Sequence, residues 1–435
     1  MSPGEIHALL VSYAFPPVGG AGVQRVVKLA KYLPEHGIRP AVLTVRNPSV
    51  PLRDESLLAD VPLDVPVERA PTLEPGYQAK AKAWQTRTSV TSIVARNLLF
   101  PDPQVLWQPA AHAALIARIA AERDDVMLVS GPPFSQFLLA PLARASGLGV
   151  VLDYRDEWST LRASYEMGRS AVARALGEPL EAALLRRAHA VVTATEEFRE
   201  NLITRFPSVD PARVHTIPNG YDPDDFPADL PDPPRDRFVV TYAGTVFALT
   251  SARGFLGAVR RLHERDADLA RRMHVRFVGR IVDSEIPSFD GSDALGVERV
   301  GYVPHARVLR ELAASHLVLC LLDDVPGAER IYPAKVFELM HLGRPVLTLA
   351  PSASALARLA FRHSLGPVLP PRDEEAIASE LHARLRTFAS GVNGCGSWRN
   401  GADLRRYDRR ALAGEFAEVL REAASRSRRG RRRGS

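Results

Sequence analysis

Residues 331–351, IYPAKVFELMHLGRPVLTLAP, read as a short helix running into a buried strand. Pro333 suits the first helical position and Gly343 the terminator. Lys335 lies in that helix. The chain's other lysines are Lys28, Lys31, Lys80 and Lys82, and from there on arginine carries the positive charge. A lysine kept in an arginine-rich chain points to a place where a compact ammonium, not a planar guanidinium, is needed. A chance survivor is the alternative.

The same helix–strand unit recurs on both sides. In the first half, strands are predicted at 7–13, 41–45, 126–130, 150–154, 190–194 and 214–218, with helices at 22–35, 108–122, 134–146, 170–188 and 196–205. Residues 219–237, NGYDPDDFPADLPDPPRDR, form a Pro- and Asp-rich linker. A second series places strands at 237–244, 274–279, 298–303, 317–322 and 345–350, with helices at 251–264, 305–314, 333–342, 352–361 and 373–389. Such alternation predicts an α/β protein built of two doubly wound parallel-sheet domains facing across a cleft. The expected division is 1–228, then 236–400, then a helical segment 401–424 that closes the second domain or reaches back to the first. An Arg-rich tail, 425–435, is expected to be disordered.

Composition narrows the function classes. The chain has 435 residues, 46% hydrophobic and 24% charged, as expected of an ordinary globular protein of two or three domains. No apolar run reaches the length of about 18 residues that a membrane-spanning helix requires, and no secretory signal is read at the N-terminus. Cys320 and Cys395 fit neither a metal spacing nor a disulfide framework, so a reducing cytoplasm is expected. The net charge of +6 equals the six arginines Arg426, Arg428, Arg429, Arg431, Arg432 and Arg433. The rest of the chain is therefore neutral and gives no reason to expect nucleic acid. The tail and the basic amphipathic segment 78–100 fit peripheral contact with the inner face of a membrane. For the tail a solvated segment fits equally well, and for 78–100 a helix packed on its own domain is the favoured reading.

Ligands of open parallel sheets bind outside the carboxyl ends of the strands. After the first strand, Gly19, Gly20 and Gly22 allow a backbone approach to phosphate at the start of the next helix. The third glycine of the dinucleotide fingerprint is missing, and Arg46–Asn47 replaces the acidic residue that grips an NAD ribose. DYRDEW (153–158) offers Asp156 as a carboxylate for a sugar hydroxyl or a proton, and Ser135 is a candidate helix cap. Asn219–Gly220 is turn chemistry. Gly244 and Thr245 form a second small-residue turn. Lys335 with its helix N-terminus suits a diphosphate. Glu338, on the same face, suits the paired hydroxyls of a ribose, or else simply pairs with Lys335.

These segments resemble the family 4 glycosyltransferases of GT-B type over nearly the whole chain. The carrying motifs are PPVGGAGVQR (16–25), DYRDEW (153–158), IPNGYD (217–222), YAGT (242–245) and YPAKVFELMHLGRPVL (332–347). The resemblance implies two Rossmann-like domains and a nucleotide-sugar donor held mainly by the second. It implies transfer with retention, without a metal or other cofactor, and a last helix that crosses back. It places Gly19 and Gly20 against the donor diphosphate and acceptor, and Glu338 on the ribose. Two departures stand out. Arg330 occupies the position of a glutamate that often touches the donor sugar, with Glu329 beside it, and Thr245 replaces a common arginine. Arg253 and Arg280 are candidates for the missing cation.

The expected activity is glycosyl transfer to a hydroxyl acceptor in glycan, glycolipid or glycosylated-metabolite synthesis, with Lys335 and Asp156 as the reacting-centre candidates. Three alternatives stay open: a sugar-nucleotide epimerase or hydrolase on the same scaffold, an NADP-dependent oxidoreductase using Arg46, and a non-catalytic partner subunit that lost its sugar contact at Arg330.

Overall fold

The computed structural model describes residues 5–80, 97–158, 171–391 and 404–434. Within them the chain forms two compact units, residues 1–219 with 409–435, and residues 220–408. The first holds strands β1 (Ile6–Val11), β2 (Ile38–Val45), β3 (Val67–Ala70), β4 (Val126–Gly131), β5 (Gly149–Tyr154), β6 (Ala190–Thr193) and β7 (Val214–Thr216). They make one parallel sheet in the order β3-β2-β1-β4-β5-β6-β7. Its helices are α1 (Ala21–Tyr32), α2 (Gln108–Ala120), α3 (Ala140–Ala145), α4 (Ala171–Arg187) and α5 (Glu196–Arg205).

The second unit holds β8 (Phe238–Ala243), β9 (Met273–Val278), β10 (Val297–Gly301), β11 (Leu317–Leu321), β12 (Val346–Leu349) and β13 (Val368–Leu369). Its parallel sheet runs β10-β9-β8-β11-β12-β13. The helices are α6 (Arg253–Arg265), α7 (Ala267–Ala270), α8 (His305–Ala313), α9 (Val336–Leu342), α10 (Ala355–Arg362) and α11 (Glu374–Ala389). Both orders reverse beside the first strand of the unit, which is the doubly wound pattern. Two short edge strands, β3 and β13, are not anticipated by the sequence reading.

Each sheet is buried on both faces. In the first unit, Leu9, Val11, Met127, Val129, Val150 and Leu152 face one helical layer, and Ala8, Leu10, Val126, Leu128 and Val151 face the other. The alternation along each strand follows from the two-residue period of β structure.

The last helix, α12 (Arg409–Gly434), packs into the first unit. Leu412, Phe416, Val419 and Leu420 join its core, whereas Tyr407 belongs to the second unit's core. A Cβ on Gly149 would meet the backbone nitrogen of Ala424 at 2.8 Å, so glycine lets the helix lie directly on the start of β5. The boundaries therefore differ from those expected. The units meet in sequence at Asn219–Gly220 and again at Asp408–Arg409, because packing changes partner there: Ile217 and Leu412 lie in the first unit's core, Tyr221 and Tyr407 in the second's.

The tail also differs. It continues α12 as helix to Gly434 instead of being disordered. The reason is local: Ser427 Oγ donates to Gly147 O at 2.7 Å, Arg428 pairs with Asp125 at 2.6 Å, and Arg426 pairs with Glu422 at 2.6 Å. Asp125 and Gly147 lie next to the amino ends of β4 and β5. The amphipathic segment 78–100 falls mostly outside the described residues, as does Cys395. Among the described residues, no helix is long and apolar enough to cross a membrane.

Candidate functional site

In the second unit, two glycines stand at neighbouring strand ends. Gly244 (φ 135°) follows β8 and Gly279 (φ 131°) follows β9, conformations that side-chain-bearing residues rarely adopt. A Cβ on Gly279 would run into the Gly244 carbonyl oxygen, so the two turns touch backbone to backbone. Gly244 N donates to Val278 O at 2.8 Å, and Val246 N to Arg280 O at 2.8 Å. The carbonyl of Thr245 accepts two hydrogen bonds, from Tyr242 Oη at 3.0 Å and Thr250 Oγ1 at 2.7 Å. The turn is fixed without any large side chain of its own.

Lys335 reaches this turn. A Cβ on Gly244 would lie 2.5 Å from Lys335 Nζ, so the ammonium occupies the space that the glycine leaves. Nζ sits 3.7 Å from the centroid of the Tyr242 ring. It is buried and has no hydrogen-bond acceptor among the described residues. A buried charge without an acceptor is costly, and such groups mark sites where a ligand completes the pairing.

The helix expected over 333–342 begins three residues later, at Val336. Lys335 is the N-cap of α9, which has seven residues, and Pro333 lies in the preceding turn, its carbonyl accepting from Val336 N at 2.9 Å. A helix of two turns has little macrodipole. The positive charge of the site is that of the ammonium. Gly343, at φ 71°, terminates the helix as anticipated.

Glu338 does not pair with Lys335. Its Oε1 lies 3.0 Å from Nε2 of His305, the first residue of α8. Sequence reading did not single out His305, because its nearness to Glu338 depends on how α8 packs. Glu329 folds back on itself: Oε2 accepts from Gly327 N at 3.0 Å and Oε1 pairs with Arg330. Neither Glu329 nor Arg330 is presented as a free group. Arg253 is drawn away by Glu285 at 3.0 Å and by Ser284 O at 3.2 Å, so it does not supply a second cation at the turn. Arg280 directly follows Gly279, and its carbonyl accepts from Val246 N at 2.8 Å.

In the first unit, the glycine loop is braced by Gly19 N to Leu52 O at 3.1 Å and Asp54 N to Pro17 O at 2.9 Å. Gly20, at φ 101°, is the N-cap of α1, with no side-chain cap and no acid in the first turn. Arg25, the motif's last residue, is structural. Its guanidinium binds both carboxylate oxygens of Asp153 at 2.9–3.1 Å and the carbonyls of Ile217 and Pro218 at 2.8 Å each. This accounts for IPNGYD as a structural segment too. Ser130 Oγ adds a bond to Asp153 at 2.6 Å.

Arg155 bonds Gly131 O at 3.3 Å and Pro132 O, while its Nη1 is buried without a partner among the described residues. A Cβ on Gly22 would lie 3.4 Å from that Nη1, so Arg155 covers the first turn of α1. Asp156 beside it is half-buried. Burial raises its carboxyl above the ordinary range, and the Arg155 charge pulls the other way. Ser135 is not a cap; its backbone N–H is itself capped by Asp102 at 2.8 Å.

Two parallel sheets of this order, each with a small-residue turn at its carboxyl edge, define the GT-B class of fold. Solved structures agree. The chain resembles sucrose-phosphate synthase from Thermosynechococcus elongatus (16% identity, TM-score 0.64, 96% of this chain and 99% of that one). It also resembles HepE from Anabaena, solved with UDP and glucose (15% identity, TM-score 0.62, 96% and 99%). A third is WaaG, a glycosyltransferase involved in lipopolysaccharide biosynthesis (14% identity, TM-score 0.61, 95% and 99%). Residues 18–225 match the model of Glycosyltransferase Family 4. Residues 18–225 thus resemble Glycosyltransferase Family 4, and the chain as a whole has the GT-B fold of these structures. No curated protein matches its sequence significantly.

Proposed function

We propose that the protein transfers a sugar, with retention and without a metal ion, from a nucleoside-diphosphate donor to a hydroxyl acceptor. The observation that carries this reading is the buried, acceptor-free ammonium of Lys335 beside the Gly244–Thr245 turn. HepE, of the same fold, was solved with UDP. Lys335 and the turn's backbone would bind the diphosphate, and Glu338, held by His305, the ribose. Gly19 and Gly20 are proposed for phosphate contact, and Asp156 for orienting the acceptor.

In the reaction, the acceptor oxygen bonds to the anomeric carbon as the bond from that carbon to the diphosphate oxygen breaks. The acceptor proton passes to the leaving oxygen on the same face, and Lys335 neutralises the charge that develops there. Stabilising a leaving group in this way contributes more than proton transfer in most enzymes. The fixed ammonium supplies the charge that a divalent ion would otherwise provide, so activity is expected to survive chelation.

A thermal-shift screen of nucleoside diphosphates and their sugars tests the reading. A tight donor raises Tm by mass action. Lys335→Ala should reduce that rise and lower kcat more than KM. Equal Tm shifts in wild type and Lys335→Ala would reject it. Product analysis separates glycoside formation from hydrolysis or epimerisation. Peripheral membrane contact through 78–100 and the Arg-rich terminus is proposed separately, and absence of liposome binding by the full chain would reject it.

A further inference from the structure

We propose that Tyr242 is a positioning residue for Lys335: its ring holds the ammonium while leaving all three N–H donors free for the donor diphosphate. The proposal rests on the reading above, in which Lys335 meets the diphosphate, and adds how the empty site keeps that charge in place.

Tyr242, in β8, is fully buried, and Nζ lies 3.7 Å from its ring centroid. That is well inside the distance at which a cation is attracted by an aromatic face. The ring cannot drift. Its hydroxyl donates to Thr245 O at 3.0 Å, and the ring packs on Phe277 at 5.7 Å between centroids. One side chain thus fixes both halves of the site, the ammonium through the ring and the turn backbone through the hydroxyl.

The choice of partner has a chemical consequence. A carboxylate here would form an ion pair with Lys335 and compete with the phosphates. A π face attracts the charge but accepts no conventional hydrogen bond, so the donors stay available. The charged and titratable neighbours agree with this. Glu338, on the same helix, is turned to His305. Cys320 of β11 is near enough to feel the Lys335 charge, yet burial pushes its thiol up to about 11, so it stays neutral and makes no ion pair at pH 7. Arg280, at the end of β9, is a cation and offers no counter-charge. Gly244 completes the arrangement, since any side chain there would push Nζ off the ring.

The test combines Tyr242→Phe, Tyr242→Leu and Lys335→Ala, with Tm used to confirm folding. Binding is read by titration with UDP, GDP and ADP. The expected outcome is near wild-type affinity for Tyr242→Phe and a roughly tenfold loss for Tyr242→Leu, the order of a desolvated cation–π contact. In the Lys335→Ala background the Leu substitution should cost almost nothing more, because the two changes remove the same interaction. An equal tenfold loss in both backgrounds would mean a merely structural role and would overturn the proposal.

A second measurement needs no nucleotide. Reductive ¹³C-methylation labels the chain's five lysines, Lys28, Lys31, Lys80, Lys82 and Lys335. The Lys335 signal, assigned by its loss in Lys335→Ala, should be displaced by the aromatic ring in wild type and Tyr242→Phe, and return to the range of a free lysine in Tyr242→Leu. No displacement in wild type overturns the proposal. Displacement with no binding of any diphosphate supports Tyr242 as the holder of Lys335 and rejects the donor reading instead.

Discussion

Arg25 and Asp153 form a fully buried ion pair in which the guanidinium meets both carboxylate oxygens, at 2.9–3.1 Å. Arg25 lies on α1 and Asp153 on β5, so the pair ties the glycine-loop helix to the sheet. Two carbonyls of residues 217–218 and the ring of Phe416, 4.7 Å from the guanidinium carbon, complete its shell. Removing one partner leaves a buried charge uncompensated. Asp153→Ala should therefore destabilise the protein by about 3–5 kcal/mol. Urea unfolding measures it, and a loss below about 1 kcal/mol would contradict this account of the pair.

Gly244 has two reasons to be glycine, a φ of 135° and the ammonium 2.5 Å from where a Cβ would stand. Gly244→Ala should lower affinity for a nucleoside diphosphate by at least about tenfold, as expected from displacing a charged contact. Its effect on stability should be the smaller one, on the order of 1–2 kcal/mol for the strained backbone. Isothermal titration beside a urea melt compares the two.

His189 and His316 are used identically in the two sheets. Each precedes a strand, and its Nδ1 accepts the backbone N–H of a neighbouring strand, from Val150 at 3.0 Å and Val239 at 3.1 Å. Burial depresses both imidazoles to about 4. The unfolded chain takes up these protons near pH 6.5, whereas the folded chain resists until about 4. Their contribution is present above pH 6.5 and is lost as pH falls from there to about 4. The urea midpoint of wild type should fall more steeply over that window than that of His189→Asn/His316→Asn. Parallel curves would contradict the assignment.

Asp102 has the opposite sign. Burial raises its carboxyl to about 6, so its contribution is present below pH 3.8 and lost as pH rises through 6. Asn keeps an oxygen for the Ser135 N–H without the buried charge. Asp102→Asn should match or exceed wild-type stability at pH 8, measured by thermal melts, and lose that advantage near pH 4.

Ser427 and Arg428 dock the chain's last turns on the first unit. Deleting residues 425–435 should lower stability by about 1–2 kcal/mol, a few degrees in Tm. A solvated tail would leave Tm unchanged.

The sequence by itself determined the alternation of strands and helices, the small-residue turns at strand ends and the retained Lys335. Those features depend on local spacing, which a single chain displays. It missed β3 and β13 because VERA (67–70) carries no apolar run and Val368–Leu369 is too short to show a period. It placed the unit boundary among the prolines after 219, where composition changes, whereas packing changes at Asn219–Gly220. It also left Arg25 and Lys335 looking alike, each a cation near a glycine turn. Only the tertiary structure told them apart. Asp153 and two carbonyls satisfy Arg25 and make it part of the frame, while Lys335 faces an aromatic ring and has no hydrogen-bond acceptor among the described residues. Whether a buried charge holds the fold together or awaits a ligand depends on partners far away in sequence, and those meet only when the chain folds.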